Sequence, residues 1–158
     1  MSKVIILPDI HGRTFWKYAL EHKLYNDNYE LFRIAYLLND KYLFSHAGVY
    51  KEWLAANSIE LNDFLDKPIS FWNGTYNTFL EDLSYYRGGN NLAGSIVWAD
   101  IRESLLDGYY QIVGHTQMEE FPYLTNSIAC LDVRRPFVLD LDKEIITNIN
   151  GIEYKIYD

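Results

Sequence analysis

Short apolar runs separated by polar turns dominate the chain, and they predict strands more often than helices. Residues 4–7 are four apolar residues in succession, which suits a strand buried on both faces. Strands are predicted at residues 31–38 and 41–47, joined by a two-residue turn at Asn39 and Asp40. Another strand begins at Tyr110. An antiparallel run is predicted to follow it, at residues 127–133, 136–142, 144–150 and 153–157.

Helices are predicted between these two groups of strands. Apolar residues recur at three- and four-residue steps over residues 50–57, 58–65 and 69–83, and Ser58 is the predicted N-terminal signal of the second helix. An earlier helix is predicted over residues 15–22. Strands at both ends with helices between them indicate a single α/β domain over residues 1–158.

The composition is that of an ordinary globular domain, with 49% hydrophobic and 23% charged residues among 158. Aromatic residues make up 16%, which favours a sheet-rich body over a helical bundle. The net charge of −8 argues against a nucleic-acid partner, because such binding relies on basic residues that neutralise phosphates. No apolar run approaches the length that spans a membrane, so no membrane partner is expected.

The single cysteine, Cys130, excludes a disulfide within the chain. Its apolar neighbours predict a buried thiol rather than a reactive one. Met1 is followed almost directly by the first strand, so no signal peptide is predicted. A reducing, cytoplasmic setting is therefore expected.

Asp9 and His11 lie two positions apart where the first strand ends, just before Gly12. Residues at that spacing in an extended segment point to the same side, so a carboxylate and an imidazole there could bind one metal ion. An ordinary turn explains the same residues equally well. In that case Asp9 bonds to local backbone and Gly12 supplies a positive φ.

Three of the four histidines share this local context. His46 and His115, like His11, each follow a hydrophobic strand and stand near a glycine, whereas His22 fits the surface of a helix. Strand ends of an α/β sheet meet at one edge, and imidazole with carboxylate suits zinc, manganese or iron. The predicted ligands of a divalent metal site are Asp9, His11, His46 and His115.

Arg87 stands beside two glycines in a loop over residues 84–95 that is rich in glycine and asparagine. Long ordered loops tend to carry function, and a guanidinium matches phosphate geometry in bidentate fashion. The alternative, a solvated loop arginine, is the more frequent case for such a residue. Arg87 is a candidate phosphate contact.

Three segments resemble motifs of the calcineurin-like metallophosphoesterases. They are Pro-Asp-Ile-His-Gly-Arg at residues 8–13, Phe-Ser-His-Ala-Gly at 44–48 and Val-Gly-His-Thr-Gln at 113–117. Within that superfamily the chain is similar to the branch of Ser/Thr protein phosphatases and diadenosine tetraphosphatases, whose last motif has one histidine. Residues 97–100 and the closing strands also resemble that branch.

The resemblance implies a β-sandwich of two mixed sheets flanked by helices, and a metal-dependent phosphoesterase activity. Up to two metal ions, manganese, iron or zinc, would activate a hydroxide for attack on phosphorus. Asp9 and His11 would bind the first ion, and His46 and His115 the second. The substrate would be a phosphorylated protein or a nucleotide.

Two internal motifs of that family are missing between His11 and His46. They supply a bridging aspartate, an asparagine ligand and the histidine that protonates the leaving group, so no catalytic residue is assigned. The missing block falls near residues 23 and 24. Either the remaining strands close the gap, or a second subunit fills it in a homo-oligomer, or the full protein has residues that this sequence lacks. The alternative function is a non-catalytic remnant that acts as a metal-binding or structural domain.

Overall fold

The computed structural model describes residues 3–6, 33–67 and 80–156, and all structural statements refer to these ranges. The predicted helix at residues 15–22 and most of that at 69–83 lie outside them, as do Asp9, His11 and His22. The described elements, in chain order, are β1 (Lys3–Ile6), β2 (Ala35–Leu38), β3 (Tyr42–Ser45), α1 (Lys51–Asn57), α2 (Leu61–Asp66), a 3-10 helix (Tyr85–Arg87), β4 (Tyr110–Val113), β5 (Tyr123–Leu124), β6 (Ile128–Cys130), β7 (Phe137–Asp140), β8 (Ile145–Asn148) and β9 (Glu153–Lys155).

The strands form two sheets, one antiparallel and one mixed. The first has the order β1-β7-β8-β9, and each neighbouring pair is antiparallel. The second has the order β2-β3-β4-β6-β5, with parallel pairs β3–β4 and β4–β6 between antiparallel edges. The α/β class is as predicted. The prediction that both sheets are mixed is wrong for the first sheet, in which every described pair of strands is antiparallel. Strand β6, predicted to open an antiparallel run with the strands that follow it, lies instead in the mixed sheet beside β4, because apolar patterning does not encode which strands pair.

The turn between β2 and β3 has the geometry that its sequence predicts. Asn39 and Asp40 have φ values of 53° and 51°, the left-handed pair that a tight hairpin turn requires. The Lys41 amide donates to the Leu38 carbonyl at 3.2 Å and closes the turn. This turn fixes the register of β3, whose carboxyl end leads into the candidate site.

The two sheets pack against each other through alternate residues of their strands. Tyr42 of β3 and Tyr110 of β4 are directly paired, and their rings meet edge to face at 6.2 Å. The cluster between the sheets comprises Tyr42, Tyr110, Ile112, Ala129, Leu131, Val133, Phe137, Leu139, Ile146 and Ile156. A sandwich of two sheets is therefore present, as predicted.

Helices α1 and α2 cover the other face of the mixed sheet. Leu43, which alternates with Tyr42, lies in a second buried cluster with Trp53 of α1 and Phe64 of α2. The Trp53 and Phe64 rings are stacked at 5.7 Å with an interplanar angle of 20°. No helix in the described ranges is both long enough and apolar enough to cross a membrane.

Helix α2 begins two residues later than the position of Ser58 predicts. Ser58 has a φ of 53° and closes the end of α1, with its amide bonded to the Ala55 carbonyl. Glu60 is the N-cap of α2 and forms a reciprocal capping box with Asp63. The prediction that Ser58 begins α2 is wrong, because a serine between two helices can cap either the end of the first or the start of the second.

Candidate functional site

His46 and His115 meet at the carboxyl ends of the parallel strands β3 and β4. Nε2 of His46 lies 2.9 Å from Nδ1 of His115, and the ring centroids are 4.8 Å apart. The amide of Gly114 donates to the His46 carbonyl at 2.9 Å, which ties the two strand ends together. The structure therefore brings together two of the four predicted metal ligands. Asp9 and His11 lie outside the described residues.

His115 has a left-handed backbone, with a φ of 60°. This conformation costs a residue other than glycine on the order of 1–3 kcal/mol, and it persists where surrounding contacts hold it. The Trp98 ring meets the His115 ring at 5.3 Å and 86°, edge to face. Together with His46, Trp98 therefore holds the imidazole between two aromatic neighbours.

Arg87, at the end of the 3-10 helix, reaches the residue that follows His115. Its Nη2 donates to the Thr116 hydroxyl and, at 3.4 Å, to the Ala99 carbonyl. Its Nε lies 3.3 Å from Oδ2 of Asp100, and the side chain is only 23% exposed. Arg87 is thus a held guanidinium beside the histidine pair, not the solvated loop arginine that was the alternative.

Asp100 is buried between two arginines. Its carboxylate also accepts two hydrogen bonds from Arg102, from Nε at 2.6 Å and from Nη2 at 3.1 Å. Burial raises the pKa of Asp100, but the hydrogen bonds of Arg102 and the charge of Arg87 outweigh it, so the pKa lies below its usual range. Asp100 therefore stays ionised and fixes the direction of the Arg87 side chain.

The lowered pKa of Asp100 predicts a loss of stability in acid. The unfolded chain takes up this proton at a higher pH than the folded chain does, so the stabilisation is complete above the unfolded pKa. It is lost as the pH falls below about 4 and through the folded pKa. We expect the free energy of unfolding, measured by urea titration at several pH values, to fall more steeply in acid for the wild type than for Asp100→Asn. Equal acid slopes would contradict this role.

Gln111 fixes the segment after His46 against β4. Its side chain is fully buried, and its amide oxygen accepts from the Val49 amide at 2.8 Å. Its amide nitrogen donates to the Val49 carbonyl, also at 2.8 Å. Because both groups of Val49 are satisfied in this way, the chain leaving His46 is held at a defined distance from the strand that leads to His115.

Cys130 lies directly behind the turn that carries His115. Its thiol donates to the carbonyls of Gly114 and Thr116, at 3.4 and 3.2 Å. Burial raises the pKa of Cys130 to about 11. It is therefore a neutral, packed thiol near neutral pH, in agreement with the sequence prediction.

Sequence reasoning assigned no role to Trp98, Asp100, Gln111 or Thr116. The resemblance covered residues 97–100 but gave no reason to single out Trp98 or Asp100. The Asp-x-Arg spacing of Asp100 and Arg102 is a signal that could have indicated an ion pair. The other contacts join positions far apart in the chain, which patterning cannot reveal.

The 2.9 Å between Nε2 of His46 and Nδ1 of His115 is a hydrogen-bond distance, shorter than the roughly 3.4 Å that separates two nitrogens bound at about 2.1 Å to a tetrahedral ion. Imidazole nitrogens are also among the ligands that divalent transition metals prefer. The described ranges contain no group of three or more His, Cys, Asp or Glu residues arranged to hold a metal ion. Any further protein ligands must therefore come from residues outside those ranges.

No family model matches the chain, and no curated protein matches it. Solved structures similar to it include a cold-active protein tyrosine phosphatase of the psychrophile Shewanella sp., 16% identical, with a TM-score of 0.49 over 78% of this chain and 43% of that one. A point mutant of a cold-active protein tyrosine phosphatase is 15% identical, with the same coverage and TM-score. The chain spans less than half the length of these structures.

The comparisons contradict the assignment to the calcineurin-like metallophosphoesterases. No family or sequence match supports it, and the similar structures are described as protein tyrosine phosphatases. Three motifs of five or six residues were too little to define a superfamily, since glycine and polar residues are common wherever a strand turns.

Proposed function

We propose that this chain hydrolyses phosphomonoesters at the site formed by His46, His115 and Arg87. The observation that carries the proposal is the approach of two imidazoles to 2.9 Å at the ends of parallel strands, with a held guanidinium alongside. Ligands of open α/β sheets bind outside the carboxyl ends of the strands. Imidazole nitrogens and a guanidinium together offer what a phosphate dianion needs, namely positive charge and directed donors.

In this proposal His46 and His115 hold a divalent cation, manganese, iron or zinc. Asp9 and His11, outside the described residues, are proposed to complete its coordination. When bound, such an ion polarises the phosphoryl group and lowers the pKa of water. The backbone of the chain sets the direction of both imidazoles through the Gly114 bond and the left-handed turn at His115.

Arg87 is proposed to bind the oxygens of the phosphate. Its Nη2 donates to Thr116 and Ala99, and its Nε lies 3.3 Å from Oδ2 of Asp100 as an ion pair. The phosphate is proposed to bind at the remaining nitrogen, Nη1. Because the guanidinium is already oriented by these contacts, little side-chain entropy is lost when a phosphate binds. Asp100 acts through Arg87 and is a positioning residue.

The test is hydrolysis of para-nitrophenyl phosphate with Mn²⁺, after EDTA, and after Mn²⁺ is restored. We expect activity that EDTA removes and Mn²⁺ returns. Calorimetry should show Mn²⁺ binding at least about tenfold weaker in His46→Ala than in the wild type, because a coordinating nitrogen is lost. The control His22→Ala should bind Mn²⁺ as the wild type does.

Each other outcome of this experiment overturns a defined part of the proposal. Hydrolysis that continues after EDTA treatment would contradict the proposed metal dependence but would agree with the proposed phosphatase activity. Mn²⁺ binding without any hydrolysis would overturn the phosphatase activity and favour a non-catalytic metal-binding domain. Equal Mn²⁺ affinity of the wild type and His46→Ala would contradict the proposal that the histidine pair binds the cation.

A further inference from the structure

Trp98 is a large aromatic side chain that is exposed beside the histidine pair in the described part of the chain. It is 44% exposed, while its ring contacts His115 at 5.3 Å. By contrast Trp53, in the helix layer, is 2% exposed. Burying an indole releases hydrophobic free energy, so a ligand that covered the Trp98 ring beside His115 would gain affinity from that contact.

The backbone around Trp98 is fixed to both halves of the site. The Ile96 carbonyl accepts from the amide of Ala47, the residue after His46, at 3.0 Å. The Trp98 amide donates to the Ser95 carbonyl at 2.9 Å. On its other side, the Ala99 carbonyl accepts from Arg87. The indole is therefore held at a set position relative to the imidazoles and the guanidinium.

Tyr86, another exposed aromatic of this region, is not equivalent to Trp98. The Arg102 guanidinium lies over its ring, 4.6 Å from the centroid, so one face is already covered. Arg102 is also bonded to Asp100 and to the Tyr86 carbonyl, which keeps it in that position. Of these two exposed aromatics, Trp98 is the one whose ring contacts a histidine of the pair.

We propose that Trp98 forms a subsite for the ring of an aryl phosphomonoester whose phosphate lies at His46, His115 and Arg87. This inference rests on the proposed function and names its substrate class. Trp98 touches His115 itself, so the aromatic surface begins at the phosphate position. A ring joined directly to the ester oxygen reaches that surface, whereas the base of a nucleotide is held away from its phosphate by the sugar. The substrate class is thus an ester in which the ring carries the phosphate.

The test compares dissociation constants for phenylphosphonate and methylphosphonate, measured by calorimetry with Mn²⁺ present. Neither compound can be hydrolysed, so the reactivity of a leaving group does not enter. We expect the wild type to bind phenylphosphonate about three to ten times more tightly, as an aromatic contact predicts. In Trp98→Leu this ratio should fall to about one, and Trp98→Phe should keep most of it. The control Tyr36→Leu, at a 58% exposed tyrosine of β2, should leave the ratio unchanged.

An unchanged ratio in Trp98→Leu, or no phenyl preference in the wild type, would overturn the subsite. Binding of adenosine 5′-monophosphate is measured in the same variants. If Trp98→Leu weakens that binding more than it weakens phenylphosphonate, the surface serves a nucleobase and the aryl proposal is wrong. Hydrolysis of para-nitrophenyl phosphate by the same wild-type preparation reports separately on the proposed function, because the phosphonate ratio does not depend on turnover.

Discussion

Replacing Arg87 with methionine should lower kcat/KM for para-nitrophenyl phosphate by about 10²–10³-fold, the usual effect of losing an oriented donor to developing negative charge. Arg87→Lys should recover only part of this loss, because an ammonium keeps the charge without the planar fork. Asp100 retains Arg102 in both variants, so the carboxylate is not left without a cation. Steady-state kinetics with Mn²⁺ present is the measurement.

The matched control is Arg135→Met, since Arg135 is an exposed arginine that lies two residues before β7. Its kcat/KM should equal that of the wild type. Thermal unfolding of all the variants separates a kinetic effect from a loss of fold. Activity of Arg87→Met within about threefold of the wild type would show that Arg87 does not bind the reacting phosphate, because losing such a donor lowers the rate far more than that.

Phe64→Ala should lower the free energy of unfolding by about 3–5 kcal/mol. Phe64 is fully buried and stacked on Trp53, so its removal leaves a cavity between α1, α2 and the mixed sheet. Domains are stable by only about 5–15 kcal/mol, so this single change should consume a large part of the total.

Urea unfolding followed by circular dichroism measures this effect, with Asn62→Ala as the control on the same helix. Asn62 is exposed, and its replacement should change the free energy of unfolding by no more than about 0.5 kcal/mol. A loss below about 1 kcal/mol in Phe64→Ala would show that the helix layer adds little to stability.

The strands and turns that local sequence determines were predicted well. The hairpin at Asn39 and Asp40 follows from residues that tolerate a left-handed backbone. Strand bounds were overestimated, because apolar residues continue beyond the last ladder hydrogen bond. The placement of β6 in the mixed sheet rather than with β7–β9 was missed, since it depends on how the chain crosses between the sheets.

The candidate site was partly visible in the sequence because histidines at strand ends converge whenever the strands are parallel neighbours. That rule brings His46 and His115 together in the structure. The supporting contacts could not be predicted, since Arg87 reaches Thr116 across 29 positions and Gln111 reaches Val49 across 62. Such pairs are set by the packing of whole layers rather than by any local pattern.

The parallel pairing of β3 and β4 has a kinetic consequence. The two imidazoles are 69 positions apart, and the connection between their strands contains both described helices and the Arg87 segment. Long-range pairings of this kind slow folding, because the entropy of closing a long loop is lost before the contacts form. The two halves of the site should therefore assemble late in refolding. A ligand that bridges them should slow unfolding more than it accelerates folding.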